Sequence, residues 1–246
     1  MSHARRTALA ALSLVLGWLS ISAAAPLPHP LESHVVIARY VQALAGVSRP
    51  HAVEFEYTVE QLGARTLQQT HHVYRSGESE RDEIVAADGQ KLSRPSVRIL
   101  LNRGYPYDVR SIAPQPSTYT FIYTGTLMQG NDRFVYLYRT EPKGLEGNFI
   151  VDEIGIDGVS FLPVSMHFRI AGDGAHGSGR VEYARFDRYW LVREAEVAAH
   201  MPRGSLSSER IVWSKYQFPP SLPPETFREP RPAATSAEEP AGISVP

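Results

Sequence analysis

Tyr119-Thr120-Phe121-Ile122-Tyr123-Thr124-Gly125, followed by Phe134-Val135-Tyr136-Leu137-Tyr138, decides the fold. In the first stretch Tyr119, Phe121 and Tyr123 alternate with Thr120, Ile122 and Thr124. In the second, Phe134, Tyr136 and Tyr138 share one face, and Val135 and Leu137 take the other. A period of two is that of a β-strand, and Gly130-Asn131-Asp132 between the stretches supplies a turn. A strand that is apolar on both faces has to be covered on both.

The same texture runs outward in both directions. Downstream, 149–153, 161–170, 179–187, 190–199 and 208–218 read as strands separated by turn residues. Upstream, Val53, Phe55, Tyr57 and Val59 alternate with Glu54, Glu56, Thr58 and Glu60, and 66–75 and 80–85 follow. Residues 96–101 form a short apolar element whose type the pattern leaves open. Residues 102–118 carry three prolines and read as a loop with room for a short strand. Ahead of the strands, Val36, Tyr40, Ala43, Leu44 and Val47 fall at helical spacing, which predicts a helix over 31–46 that stops at Gly46. The expected fold class is mainly β with an N-terminal helix (α+β). A meander of about ten or eleven antiparallel strands seldom stays flat, so a half-open, curved β-barrel covered by the helix is expected.

Both ends read differently. Arg5-Arg6, the apolar run 7–21 and Ser22-Ala23-Ala24-Ala25 have the layout of a signal peptide over 1–24, cleaved after Ala24. The apolar run is short for a membrane span. The residues around Arg5-Arg6 match a twin-arginine signal poorly. A periplasmic or secreted location is expected. Residues 219–246 hold eight of the 19 prolines and no apolar period, and read as a disordered tail docked at its start through Leu222 and Phe227. Residues 25–218 are left as one domain.

Composition removes several functions. With no cysteine there is no disulfide, no Cys-ligated metal, no catalytic thiol and no lipobox through which a mature N-terminus is lipidated. Against 26 Asp+Glu, 25 Lys+Arg leave a net charge of −1, which lacks the electrostatic footprint of a nucleic-acid binder. Gly172-Asp173-Gly174-Ala175-His176-Gly177 matches G-x-G-x-x-G, but a strand pattern follows it where a dinucleotide site needs a helix, so it reads as a hairpin loop. His71-His72 are neighbours on a strand and face opposite sides, which does not suit one metal. Glu78, Glu80 and Asp82 share a face at i, i+2, i+4; with Arg75 and Arg81 beside them they read as a solvated outer face, as do Asp152, Glu153 and Asp157. No metal and no cofactor is expected, and no catalytic residue is indicated.

Three segments resemble the LolA/LolB-like lipoprotein-carrier superfamily: the helix Ile37-Ala38-Arg39-Tyr40-Val41-Gln42-Ala43-Leu44, the aromatic pair of strands quoted above, and Gly158-Val159-Ser160-Phe161-Leu162-Pro163-Val164. The layout of leader, helix and long meander is similar to that family's, over about residues 31–218. The resemblance implies a periplasmic protein, not an enzyme, that holds lipid or lipoprotein acyl chains in an apolar cavity and meets a membrane-anchored protein partner. Strand parity picks Phe55, Tyr57, Phe121, Tyr123, Phe134, Tyr136, Met166 and Phe168 as cavity candidates, subject to register. Two alternatives stay open: a sensory or regulatory module on the same fold, and a secreted hydrolase without a recognisable motif.

Overall fold

The computed structural model describes residues 31–62, 66–129, 133–144, 147–172, 175–200 and 206–228. The expected leader over 1–24 and the tail beyond 228 lie outside the described residues. One helix, α1 (Ser33–Ala45), precedes four strands, β1 (Ala52–Leu62), β2 (Leu67–Ser76), β3 (Ser79–Ala87) and β4 (Gln90–Leu100). A long connection carrying a single-turn helix, α2 (Val109–Ile112), leads to seven more: β5 (Tyr119–Gln129), β6 (Arg133–Pro142), β7 (Phe149–Asp157), β8 (Pro163–Gly172), β9 (Ala175–Phe186), β10 (Tyr189–His200) and β11 (Leu206–Gln217). A short 3-10 turn (Pro224–Phe227) follows.

All eleven strands form one antiparallel sheet in the order β4-β3-β2-β1-β11-β10-β9-β8-β7-β6-β5. The first and last strands pair in the middle, with Tyr57 opposite Trp213 and Val59 opposite Ile211. The sheet does not close: β4 is one edge and β5 the other. This is the expected half-open, mainly β architecture with an N-terminal helix. Local chemistry sets the turns. Asp88 (φ 48°) and Gly89 (φ +76°) both take the left-handed conformation that a two-residue hairpin turn of matching twist requires. At the β7–β8 turn, Asp157 accepts from the Ser160 backbone N–H (2.8 Å) and hydroxyl (2.7 Å) and from Arg133 Nε (2.6 Å), which holds Phe161 at φ 57°.

Two expectations are corrected, and a third holds. The 96–101 element belongs to an eleven-residue strand, β4, and its Pro95 is tolerated because an edge strand has one side without ladder bonds. Residues 102–118 contain a helical turn, not a strand. The G-x-G-x-x-G segment does join two strands, β8 and β9, as a hairpin.

α1 and the 101–118 connection lie across the concave face. α1 buries Val36, Tyr40 and Leu44, one stripe at i, i+4 and i+8. The connection has to travel from the β4 edge to the β5 edge, and it buries Val109 and Ala113 on the way. Beneath them lie Val53, Phe55, Val73, Tyr136, Tyr138, Ile154, Ile156, Met166, Phe168, Val181, Tyr183, Val192 and Trp213. Gly179 of β9 makes room for the Phe168 ring: a Cβ there would stand 2.4 Å from the ring and 2.6 Å from the Glu196 carbonyl oxygen. The convex face carries cross-strand ion pairs such as Arg210–Glu194 (2.7 Å) and Lys215–Glu56 (2.7 Å). Among the described residues, no helix is long and apolar enough to cross a membrane.

Candidate functional site: the covered concave face

All eight cavity candidates sit on the concave side. Seven belong to the core cluster or pack against it: Phe55, Tyr57, Phe121, Phe134, Tyr136, Met166 and Phe168. Tyr123, the eighth, is 45% exposed and meets the Tyr138 ring edge-on at 5.6 Å. The sheet divides them into groups. Phe121 and Tyr123 converge on Tyr138, and Tyr40 of α1 meets Phe121 at 5.8 Å. Phe168 stacks on Phe149 at 4.7 Å. Phe55 and Tyr57 lie strands away on β1, against Tyr216 and Trp213.

The cover meets this face through apolar contact and through tyrosine hydroxyls that donate to backbone carbonyls. Tyr40 Oη donates to Pro114 O (2.6 Å), Tyr105 Oη to Pro50 O (2.9 Å), Tyr183 Oη to Tyr107 O (2.8 Å) and Tyr138 Oη to Ser33 O (3.4 Å). Tyr136 Oη accepts from Leu31 N (2.9 Å). Tyr107, held at φ 47°, puts its ring 5.9 Å from Trp213 and 6.1 Å from Phe168. A non-glycine residue in this region costs of order 1 kcal/mol or more, and the ring's contacts hold it there. The cover leaves little room in the middle: the space lined by Tyr105, Tyr107, Trp190, Trp213 and Tyr216 is about 30 Å³.

Open space lies at the β5 edge. A groove of about 960 Å³ runs between α1 and β5, with Ile37, Val41, Pro116, Tyr119 and Phe121 as its apolar lining and Glu32, His34 and Lys143 at its rim.

Beyond Phe55 and Val73 the β1–β4 arm turns polar on its concave side, and here the sequence expectation fails. Glu80 (5% exposed) and Asp82 (1%) are buried, not solvated; only Glu78, in the turn, is exposed. Asp82 accepts from His71 Nδ1 (2.7 Å), Arg98 Nη2 (2.7 Å) and Tyr57 Oη (3.2 Å), and the His71 ring stacks on Tyr57 at 4.3 Å. Arg75 donates to Glu80 (2.9 Å) and to the Gly104 (3.1 Å) and Arg103 carbonyls, with its guanidinium 3.9 Å over the Tyr105 ring. Burial pushes the Glu80 carboxyl up more than Arg103 and Arg75 pull it down. Burial acts on Asp82 too, but the hydrogen bonds and charges of His71 and Arg98 outweigh it and hold that carboxyl below its ordinary value. Asp157 is likewise buried against expectation and held low, because bonds from Arg133 and Ser160 outweigh its burial.

Sequence reading missed Tyr40, Tyr138, Trp190, Trp213 and Tyr216 as lining. Parity alone would have found Trp213 and Tyr216 only with the register shift of the β1–β11 pairing in hand. Tyr105 and Tyr107 lie in a stretch with no period to read.

No family model and no curated protein sequence matches the chain. Its structure is similar to a LolA superfamily protein from Nitrosomonas europaea, at 9% identity over 81% of this chain and 99% of that one, with a TM-score of 0.39. It is also similar to a DUF1329 family protein from Desulfovibrio piger, at 14% identity over 79% of this chain and 96% of that one, with a TM-score of 0.42. A third similarity is to a domain named for outer membrane lipoprotein sorting, from Vibrio parahaemolyticus, at 10% identity over 80% of this chain and 97% of that one, with a TM-score of 0.44.

Proposed function

We propose that this chain is an exported, periplasmic carrier or binder of lipid or lipoprotein acyl chains and not an enzyme. The observation that carries the reading is the concave face: a sheet wall of aromatic and aliphatic side chains under a cover that makes apolar contact and tyrosine–backbone hydrogen bonds. Such a wall gains about 0.8 kcal/mol for each methylene it takes from water. The groove between α1 and β5 is where an acyl chain enters. It is an open groove whose wall includes Phe121, and Phe121 in turn meets the rings of Tyr40 and Tyr138. Phe121, Tyr123, Phe134 and Tyr136 line the near part of the path; Met166, Phe168, Phe55 and Tyr57 line the part that the cover now occupies. A binding role also suits the polar groups of the other arm. His71, Tyr57 and Arg98 all bond to Asp82, which occupies that buried carboxylate's acceptor positions.

The test is native mass spectrometry of protein recovered from its own cell envelope, paired with titration of cis-parinaric acid. A co-purified lipid and saturable probe fluorescence are expected. Val41→Lys places a charge in the groove from a residue 39% exposed, so the fold tolerates it, and it should weaken probe binding at least about tenfold. A chain recovered without lipid that gives no probe signal would overturn the reading.

A further inference from the structure

The two edges of the sheet are built from opposite materials. β4 carries Lys91, Arg94 and Arg98, with Pro95 among them, and none of its large apolar side chains is among those most exposed. Cations and proline are among the devices by which an edge strand resists pairing with another chain. β5, Tyr-Thr-Phe-Ile-Tyr-Thr-Gly-Thr-Leu-Met-Gln, has eleven residues with no charge and no proline. It exposes Tyr123 (45%), Leu127 (53%) and Met128 (56%), and among the described residues no strand lies beside its outer side; its one irregularity is a register shift between Tyr123 and Gly125.

We infer that the β5 edge pairs with the β5 edge of a second copy of this chain. Charge selects that occupant. Two β5 strands meet with no like charges opposed, whereas two β4 strands would set Lys91, Arg94 and Arg98 against their own copies at a cost. A β5–β4 contact would leave a free β4 and a free β5 at its ends and grow into an open fibre; the β5–β5 contact is antiparallel, two-fold and closed. The two-fold axis of an antiparallel pair stands perpendicular to the sheet, so both concave faces stay on one side. The groove along α1 is lined on one side by Tyr119, Thr120 and Phe121 of β5. Pairing brings the two grooves together across the joined strands, and the second copy's Tyr123 and Phe121 supply a further wall. Burial of Tyr123, Leu127 and Met128 adds apolar area to the backbone bonds. The pairing rests on the edge and not on the acyl-chain reading, although it would complete that site.

Sedimentation at about 100 μM, where even a small interface is populated, should show a dimer. Leu127→Lys with Met128→Lys alters two exposed side chains and should return a folded monomer, judged by an unchanged circular dichroism spectrum. Because the chain has no cysteine, Thr124→Cys on exposed β5 gives a clean cross-linking site, and oxidation should yield a covalent dimer, while Ser96→Cys on β4 should not. A wild-type monomer at that concentration overturns the inference, as does a dimer that survives the double substitution or cross-links through Ser96→Cys. Lipid recovered by native mass spectrometry from a chain that stays monomeric would leave the carrier reading standing and remove this one.

Discussion

The β1–β4 arm and the β6–β10 arm belong to one sheet and face the same cover, yet they bury opposite chemistry. In the β6–β10 arm the concave positions are Tyr136, Tyr138, Ile154, Ile156, Met166, Phe168, Val181 and Val192. In the β1–β4 arm, the apolar wall ends at Val73 and gives way to Arg75, Glu80, His71 and Asp82, each at most 5% exposed. The first arm is held by contact area, which tolerates sliding and substitution of similar volume. The second is held by directed bonds that fix a geometry and penalise the loss of any one partner. The arm expected to receive an acyl chain is therefore the adaptable one, and the arm that pins the connection through the Arg103 and Gly104 carbonyls is the rigid one.

The sharpest break is Glu80→Ala. It leaves the Arg75 guanidinium buried without its counter-ion, with Nε already lacking a partner. Removing one member of a buried pair costs about 3–5 kcal/mol, and urea unfolding should show a loss of that size. Replacing both Arg75 and Glu80 with Met should recover much of it, because no buried charge then remains. In the apolar arm, Met166→Ala should cost about 2–5 kcal/mol by emptying a fully buried site. A ligand that fills the space should restore stability there, and no ligand should do so for Glu80→Ala. Gly179→Ala comes next, at about 1–3 kcal/mol, since the new methyl meets both the Phe168 ring and a backbone carbonyl that cannot move aside.

Strand parity and helical spacing were enough to read α1, the meander and the side of the sheet on which the eight candidates lie. These are local properties, written in every second or every third and fourth residue. The buried charges were not legible for a matching reason. Glu80 and Asp82 alternate like any solvent-facing acidic pair; what surrounds them is long-range, the 101–118 connection at Glu80 and the side chains of Tyr57, His71 and Arg98 from three other strands at Asp82. The same connection brings Tyr105 and Tyr107, from a segment without period, into the middle of the site. Pro95 hid β4 because a proline argues against a strand until that strand is known to lie at an edge.

Acid separates the arms more gently. Asp82 has its folded-state value lowered from the ordinary 3.8, so its contribution is complete above that value and is lost as the pH falls through the lowered one. Glu80 runs the other way: its value is raised from 4.5, so the folded state holds the proton more readily, and its contribution fades as the pH rises through the raised value. Asp157, on the apolar arm, follows Asp82. Stability measured against pH should therefore fall below 3.8 in the wild type, and Asp82→Asn should flatten that acid limb while lowering stability near neutrality. Asp157→Asn should flatten it too, at the β7–β8 turn alone. If neither substitution changes the acid slope, the bonds to His71, Arg98 and Arg133 do not hold these carboxylates ionised, and the proposed rigidity of the charged arm loses its basis.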